Sequence, residues 1–296
     1  MGRLAAEISD FLEESGFGCI RSAFRGFDII GAREGEGREH VILAMDIAAE
    51  DASEAARLSD DAWKCVMDIK SGTGCYPIII TEDRWHARNV MMKARLLAHL
   101  HVFSPIYARN CEVRRIDRNV AREFLESWHS YGFSSCRHCY GLFFKRHTGH
   151  NSRQEPAKSE GALQPGTLVA VGTFSNARRW KKGEREIRSY EWTRYASLPS
   201  LRISGGMGKV MKAFIKDVDP DDIMSYADLE WSEGDVYEQL GFVPESMKAP
   251  VFFNVDMKDW SRKAVRLEDG ETSGKGSANF RNFGSAKFRM KLTCYE

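Results

Sequence analysis

Three glycines within four residues, Gly205-Gly206-Met207-Gly208, followed by Lys209, stand between a strand-like approach and a helical run. In that run Val210, Met211, Phe214 and Ile215 form an apolar face. Glycine lets a backbone come close to a phosphate, and the free N–H groups of a first helical turn, aided by the helix dipole, point at an anion. Lys209 would add charge. Two readings fit, an anion-binding turn and a plain tight connection; the lysine-serine/threonine ending of a nucleotide P-loop is absent. Cys136-x-x-Cys139, with His138 and His129 nearby, has the residue types of a zinc site. No second pair has compatible spacing, and both cysteines fall on or beside a strand, where alternate side chains face opposite ways, so zinc is not expected. The densest basic cluster is Arg178, Arg179, Lys181 and Lys182 around Trp180, followed by Arg185 and Arg188; near the C-terminus Lys275, Arg281, Lys287, Arg289 and Lys291 interleave with Phe280, Phe283 and Phe288. Basic groups attract phosphates and aromatic rings stack on bases, so DNA contact is one reading and a solvated turn the other.

The elements that must position these residues follow from periodicity. Leu4, Ile8, Phe11 and Leu12 predict an amphipathic helix over 4–14, and the apolar runs 27–30 and 41–45, separated by GAREGEGREH, predict a hairpin. A helix over 52–69, a buried strand over 76–81 and a helix from Glu82 to about Leu100 complete the first part. The chain restarts after Ser104-Pro105, with a boundary near residue 110. Beyond it the pattern predicts strands at 111–116, 140–144, 168–174, 189–195 and 223–226, helices at 118–128 and from the glycine turn to about Asp217, a polar excursion over 146–166 and a basic turn after Phe174.

At 296 residues, two domains are the leading expectation. A hydrophobic fraction of 43% and a charged fraction of 29% are those of an ordinary globular protein. The net charge of +1 removes any whole-chain argument for nucleic acid, although one domain can still carry a basic face. Seven scattered cysteines are odd in number and unlike a disulfide framework, favouring a reducing interior; the acidic N-terminus is no signal peptide, and no run approaches the ~18 apolar residues of a membrane span. A cytoplasmic protein without a membrane partner is expected.

The stretch from Gly205 through DIMSYADLEWSEGDVYEQLGF resembles the end of the GNAT (GCN5-related N-acetyltransferase) core, in which a short helix ending Tyr-x-x-Leu-Gly-Phe follows the fifth strand. Tyr237, Leu240, Gly241 and Phe242 carry that pattern. The resemblance implies that Gly205, Gly206, Met207, Gly208 and Lys209 receive the pyrophosphate of acetyl-CoA or another acyl-CoA. The family often has Arg or Gln three residues before its Gly-x-Gly pair; here that position is Ile203, with Arg202 adjacent. Acyl transfer to an amine needs a base for the amine and an acid for the leaving thiolate. The resemblance points to Tyr237 as the acid, with a core aromatic as the alternative, and to Glu191 as the base, with a solvent-facing or ion-paired strand glutamate as the alternative. His129 and Asp228 are further candidates.

The order FDII (27–30), VILAMD (41–46), YPIIITEDRW (76–85), IYARNCE (106–112), ESWHSYG, GLFF, YEWTRY, ISGG and SYADLEWSEGDVYEQLGF resembles bacteriophage proteins that fuse a restriction-endonuclease-like domain, related to very-short-patch repair nucleases, to an acetyltransferase-like domain. It implies an α+β chain: residues 1–110 a restriction-endonuclease-like α/β domain and 111–296 a GNAT-like mixed-sheet domain, in a bacterial or phage-infected cell. Such nucleases hold a divalent metal between clustered carboxylates. Asp28 matches the first, but Ala44 stands where a glutamate is expected, with Asp46 two positions on, so a degenerate nuclease is the simpler expectation. The leading function is acyl-CoA-dependent transfer on or near nucleic acid; a non-catalytic nucleic-acid-binding protein and a metal-dependent DNA endonuclease using Asp28 and Asp46 are the alternatives.

Overall fold

Leu4, Ile8 and Leu12 recur about one helical turn apart and are fully buried, so the chain opens with an amphipathic helix, α1 (Arg3–Glu14). The computed structural model describes residues 2–145, 163–266 and 274–294; most of the excursion expected over 146–166 therefore lies outside the described residues. After α1 come β1 (Gly18–Phe24), β2 (Phe27–Arg33), β3 (His40–Met45), α2 (Ala52–Thr73), β4 (Ile78–Thr81), α3 (Glu82–Ala87) and α4 (Asn89–His99). Their sheet has the order β1-β2-β3-β4, antiparallel except for the parallel β3–β4 pair. The expected hairpin is β2–β3. β1 went unforeseen because its side chains are almost all exposed, so no apolar alternation marks it and backbone pairing to β2 makes the strand. α2 is fixed by a reciprocal cap: Asp51 accepts the Glu54 N–H at 2.8 Å and the Glu54 carboxylate accepts the Glu50 N–H at 2.9 Å. The single helix expected from Glu82 breaks at Arg88, where the Asn89 side-chain amide donates to the Trp85 carbonyl at 3.2 Å in competition with the helical ladder.

The chain continues through β5 (Ser104–Tyr107), β6 (Cys111–Arg115), α5 (Arg118–Trp128), β7 (His138–Phe144), β8 (Leu168–Phe174), β9 (Arg178–Lys182), β10 (Arg185–Ser197), β11 (Leu201–Ser204), α6 (Gly206–Val218), β12 (Asp222–Asp228), α7 (Asp235–Gln239) and β13 (Val243–Lys248). It ends with β14 (Phe252–Asp256), β15 (Arg262–Val265), β16 (Ser277–Arg281) and β17 (Ser285–Lys291). A large mixed sheet has the order β13-β17-β12-β10-β8-β7-β6, with β9 paired to β10. The expected basic turn is thus a strand: the register Arg179↔Arg188 through Lys182↔Arg185 makes β9 and the start of β10 a hairpin. Phe214 of α6 stacks on Phe174 of β8 at 3.9 Å, and Ala121, Phe124 and Leu125 of α5 pack with Val171 and Ala196, which seats both helices on the sheet.

Residues up to 96, with 226–235 and 246–287, form one compact unit; residues 97–225, 236–245 and 288–296 form another. The chain enters each more than once. The first unit has a reason to gather distant segments. Asp83, Arg84, Asp228, Glu230 and Arg262 meet in its interior: Arg262 bonds Asp83, Glu230 at 3.1 Å and Thr81 at 2.8 Å, and Arg84 pairs with Asp228 at 3.1 Å and Glu230 at 3.0 Å. Asp83 and Glu230 are 1% and 2% exposed, so each charge depends on its partners. Burial pushes the Asp83 carboxyl up, but Arg262 outweighs it and holds the group below the ordinary aspartate value; burial raises Glu230 despite Arg262 and Arg84.

Candidate functional site

Gly205 caps α6 in the left-handed region (φ 77°), a conformation that favours glycine, and among the described residues no side chain bonds the first turn of the helix. Gly206 is demanded by packing, since a Cβ there would lie 2.7 Å from the Tyr195 hydroxyl and 2.9 Å from Ile203. Gly208 is different. A Cβ at that position meets only the Leu240 side chain, at 3.4 Å, so what a glycine provides there is open access to the backbone. The two readings of the turn thus separate by residue: Gly206 serves the tight connection, and Met207 and Gly208 present a helix start suited to an anion. Lys209 is committed elsewhere, its Nζ donating to the Ala108 carbonyl at 2.7 Å and the Cys111 carbonyl at 2.5 Å. Arg202 is exposed on β11, which pairs in parallel with β5, and its guanidinium lies 5.2 Å from the Phe103 ring.

β10 and β12 are parallel, with Ser189↔Asp222, Tyr190↔Ile223 and Glu191↔Met224 in register. Both strands continue past that point, but the ladder stops. β10 there carries a bulge between Trp192 and Arg194, and the Ser225 hydroxyl, instead of a backbone amide, meets the Trp192 carbonyl at 3.0 Å. The same hydroxyl is 2.9 Å from the Tyr237 hydroxyl. Tyr237, half-buried on α7, packs against Phe242 and Phe288 at 5.6 and 5.4 Å. Burial raises its pKa, opposed by Ser225 and Arg194 and reinforced by Glu191, so Glu191, Arg194 and Tyr237 share one electrostatic neighbourhood. Among the described residues the Glu191 carboxylate makes no hydrogen bond, and it interacts electrostatically with Arg194. Arg194 was not singled out in the sequence. It donates to the carbonyls of Gly132 (3.2 Å) and Thr193 (2.8 Å), and burial lowers its pKa. It lies at the register shift of β10, which a one-dimensional pattern does not show.

The other candidates lie elsewhere. His129 ends α5 and its Nδ1 accepts the Tyr131 N–H at 3.1 Å. Asp228 belongs to the first unit, held by Arg84. Arg178, Arg179, Lys181 and Lys182 are all exposed on β9, and among the described residues only Arg179 of these is paired, with Glu186 at 2.9 Å. In the first unit Asp28 lies in register with Ala44, and its carboxylate accepts the Gly2 N–H. Burial first, then Asp28, raises the Asp46 pKa, so the two carboxylates do approach each other. Among the described residues no three His, Cys, Asp or Glu side chains group to hold a metal ion. Cys136 and Cys139 do not face apart as their strand positions suggested: Cys136 precedes β7 in irregular chain, and the two sulfurs are 3.4 Å apart. No helix among the described residues is long and apolar enough to cross a membrane.

No family model matches the sequence, and no curated protein matches it. Among solved structures, the chain is similar to the NatC complex bound to Gag peptide and CoA (10% identity, 62% of this chain, 99% of that chain, TM-score 0.33). It is also similar to a mutant AtaT toxin bound to the C-terminus of the antitoxin AtaR and acetyl-CoA (13%, 58% and 93%, TM-score 0.27). A third is a chimera of the spermidine N-acetyltransferase SpeG from Vibrio cholerae and hSSAT (12%, 62% and 95%, TM-score 0.30). Superpositions this loose carry no argument about the present chain.

Proposed function

We propose that the second unit is an acyl-CoA-dependent acyltransferase, with acetyl-CoA or another acyl-CoA as donor. The observation that carries the reading is the interrupted ladder between parallel β10 and β12, with a glycine-started helix between the two strands in sequence and Tyr237 beside the interruption. The N–H groups of Gly206, Met207 and Gly208 would hold the pyrophosphate, since among the described residues no side chain bonds them. When bound, the acyl-CoA supplies the thioester whose acyl group passes to a nucleophile. Tyr237, kept protonated by burial, would give its proton to the departing sulfur, and the Ser225 hydroxyl would turn its one proton from the Trp192 carbonyl to the phenolate left behind. Glu191 would take the proton of the attacking amine.

Acetyl-CoA at about 100 times its dissociation constant should stabilise the protein by roughly 2.7 kcal/mol in thermal unfolding. Gly208→Asp should cancel that stabilisation, because the backbone there has room for a side chain and the new charge repels phosphate. Gly206→Asp is a poorer probe, since it strikes Tyr195 before any ligand is considered. No shift in the wild type, or an equal shift in Gly208→Asp, would overturn the proposal.

An acceptor on or near nucleic acid is the finer part of the proposal, supported by the exposed Arg178, Lys181 and Lys182 of β9. Duplex and single-stranded DNA should bind with an affinity that falls steeply as salt rises, and reversing those three charges should flatten the slope. The nuclease-like resemblance of residues 1–110 and their phage setting belong to the same proposal, with the degenerate form favoured by Ala44 opposite Asp28.

A further inference from the structure

Cys136 and Cys139 serve neither the glycine turn nor Tyr237, yet their sulfurs are 3.4 Å apart, near contact, beneath α5 and among Ala121, Phe124, Leu125 and Val171. Cys139 is fixed in the β7–β8 ladder opposite Thr173, whereas Cys136 lies between exposed Ser135 and Arg137 in irregular chain before β7. We infer that these two residues form a reactive dithiol that closes reversibly into an intramolecular disulfide when a hydroperoxide oxidises it. The division of labour follows from the surroundings. The hydrogen bond between the two sulfurs lowers the Cys136 thiol to about 7 against the effect of burial, with help from Arg118 and Arg122 of α5, while the same bond and burial push Cys139 up. Cys136, in irregular chain between exposed residues, is therefore the nucleophile and Cys139, held in the ladder, the resolving thiol. A metal is a poorer occupant, because no third His, Cys, Asp or Glu joins the pair among the described residues.

The chemistry balances with hydrogen peroxide. The Cys136 thiolate attacks one peroxide oxygen, the O–O bond breaks, and the released hydroxide takes a proton to leave as water. The Cys136 sulfenic acid so formed is attacked by the Cys139 sulfur; the S–S bond forms, the S–O bond breaks, and a second water carries away the Cys139 proton. Two thiols are oxidised and one peroxide is reduced to two waters. None of the other five cysteines offers this arrangement: burial raises Cys19, Cys65 and Cys111, and no second sulfur contact is present among the described residues.

The test is to expose the native full-length protein to graded hydrogen peroxide, block free thiols, digest without reduction and identify linked peptides by mass spectrometry. The expected result is a Cys136–Cys139 link, lighter by two hydrogens and restored by dithiothreitol, appearing at lower peroxide than oxidation of exposed Cys294. Cys139→Ser should instead leave Cys136 as a sulfenic acid trapped by dimedone. If Cys136 and Cys139 both stay alkylatable at peroxide levels that oxidise Cys294, or if Cys136 links elsewhere, the inference is overturned. A folded Cys294→Ser variant that still forms the link keeps the result independent of the exposed thiol.

Discussion

In the first unit five charged side chains, Asp83, Arg84, Asp228, Glu230 and Arg262, are buried against one another; in the second, Glu191, Arg194 and Tyr237 are half-buried where the β10–β12 ladder stops. The first group is much the denser in charge, yet ion pairs across segments far apart in sequence occupy its members. The second is sparse, but among the described residues the Glu191 carboxylate makes no hydrogen bond and the start of α6 has no side-chain cap. Charge density in a sequence therefore says little about chemistry. What distinguishes a candidate site is polar capacity that the fold does not consume.

The sharpest way to break this contrast is Tyr237→Phe, which should lower acyl transfer by about 10²- to 10⁴-fold while leaving the acetyl-CoA thermal shift intact. Unchanged turnover would make Tyr237 a core aromatic like its neighbours Phe242 and Phe288. Arg262→Ala should act on the other side of the comparison, costing about 3–5 kcal/mol in chemical denaturation because it strands the buried Asp83 and leaves Glu230 to Arg84 alone, with no effect on acetyl-CoA binding. Its pH dependence has a definite sign. Asp83 is held below the ordinary value, so the stability it contributes is present above about 3.9, the unfolded value, and is lost as pH falls through the folded one. Removing Arg262 should move the acid unfolding limb to higher pH. A variant as stable and as acid-resistant as the wild type would show that the cluster is not what stabilises the unit.

Lys209→Met should cost roughly 1–3 kcal/mol, by taking a charged donor from the Ala108 and Cys111 carbonyls, without weakening acetyl-CoA. Lost affinity at unchanged stability would return Lys209 to the phosphate site that its sequence position suggested. Asp51→Ala, which removes one half of the α2 cap, should cost about 1 kcal/mol. The smallest expected effect is none: with Mg²⁺ or Mn²⁺, plasmid and mismatched duplex should remain uncut, since two carboxylates without a third ligand hold such ions weakly. Cleavage abolished by both Asp28→Ala and Asp46→Ala would reverse that reading.

The sequence by itself determined the elements whose periodicity is local. α1, α5 and β8 have or nearly have the bounds their apolar spacing predicts, and the glycine turn before α6 was legible from composition alone. It did not determine β1, β5 or β9, which are polar or short and exist through backbone pairing to a partner strand. Only the tertiary structure decided the roles of individual side chains. The same features that marked Lys209 and Asp228 as candidates gave no sign that two carbonyls and Arg84 would claim them. Nor could strand alternation foresee that irregular chain before β7 would bring Cys136 to Cys139. The physical reason is common to these cases: a helix or strand is set by neighbours in sequence, whereas the partner that satisfies or spares a polar group arrives from a distant part of the chain.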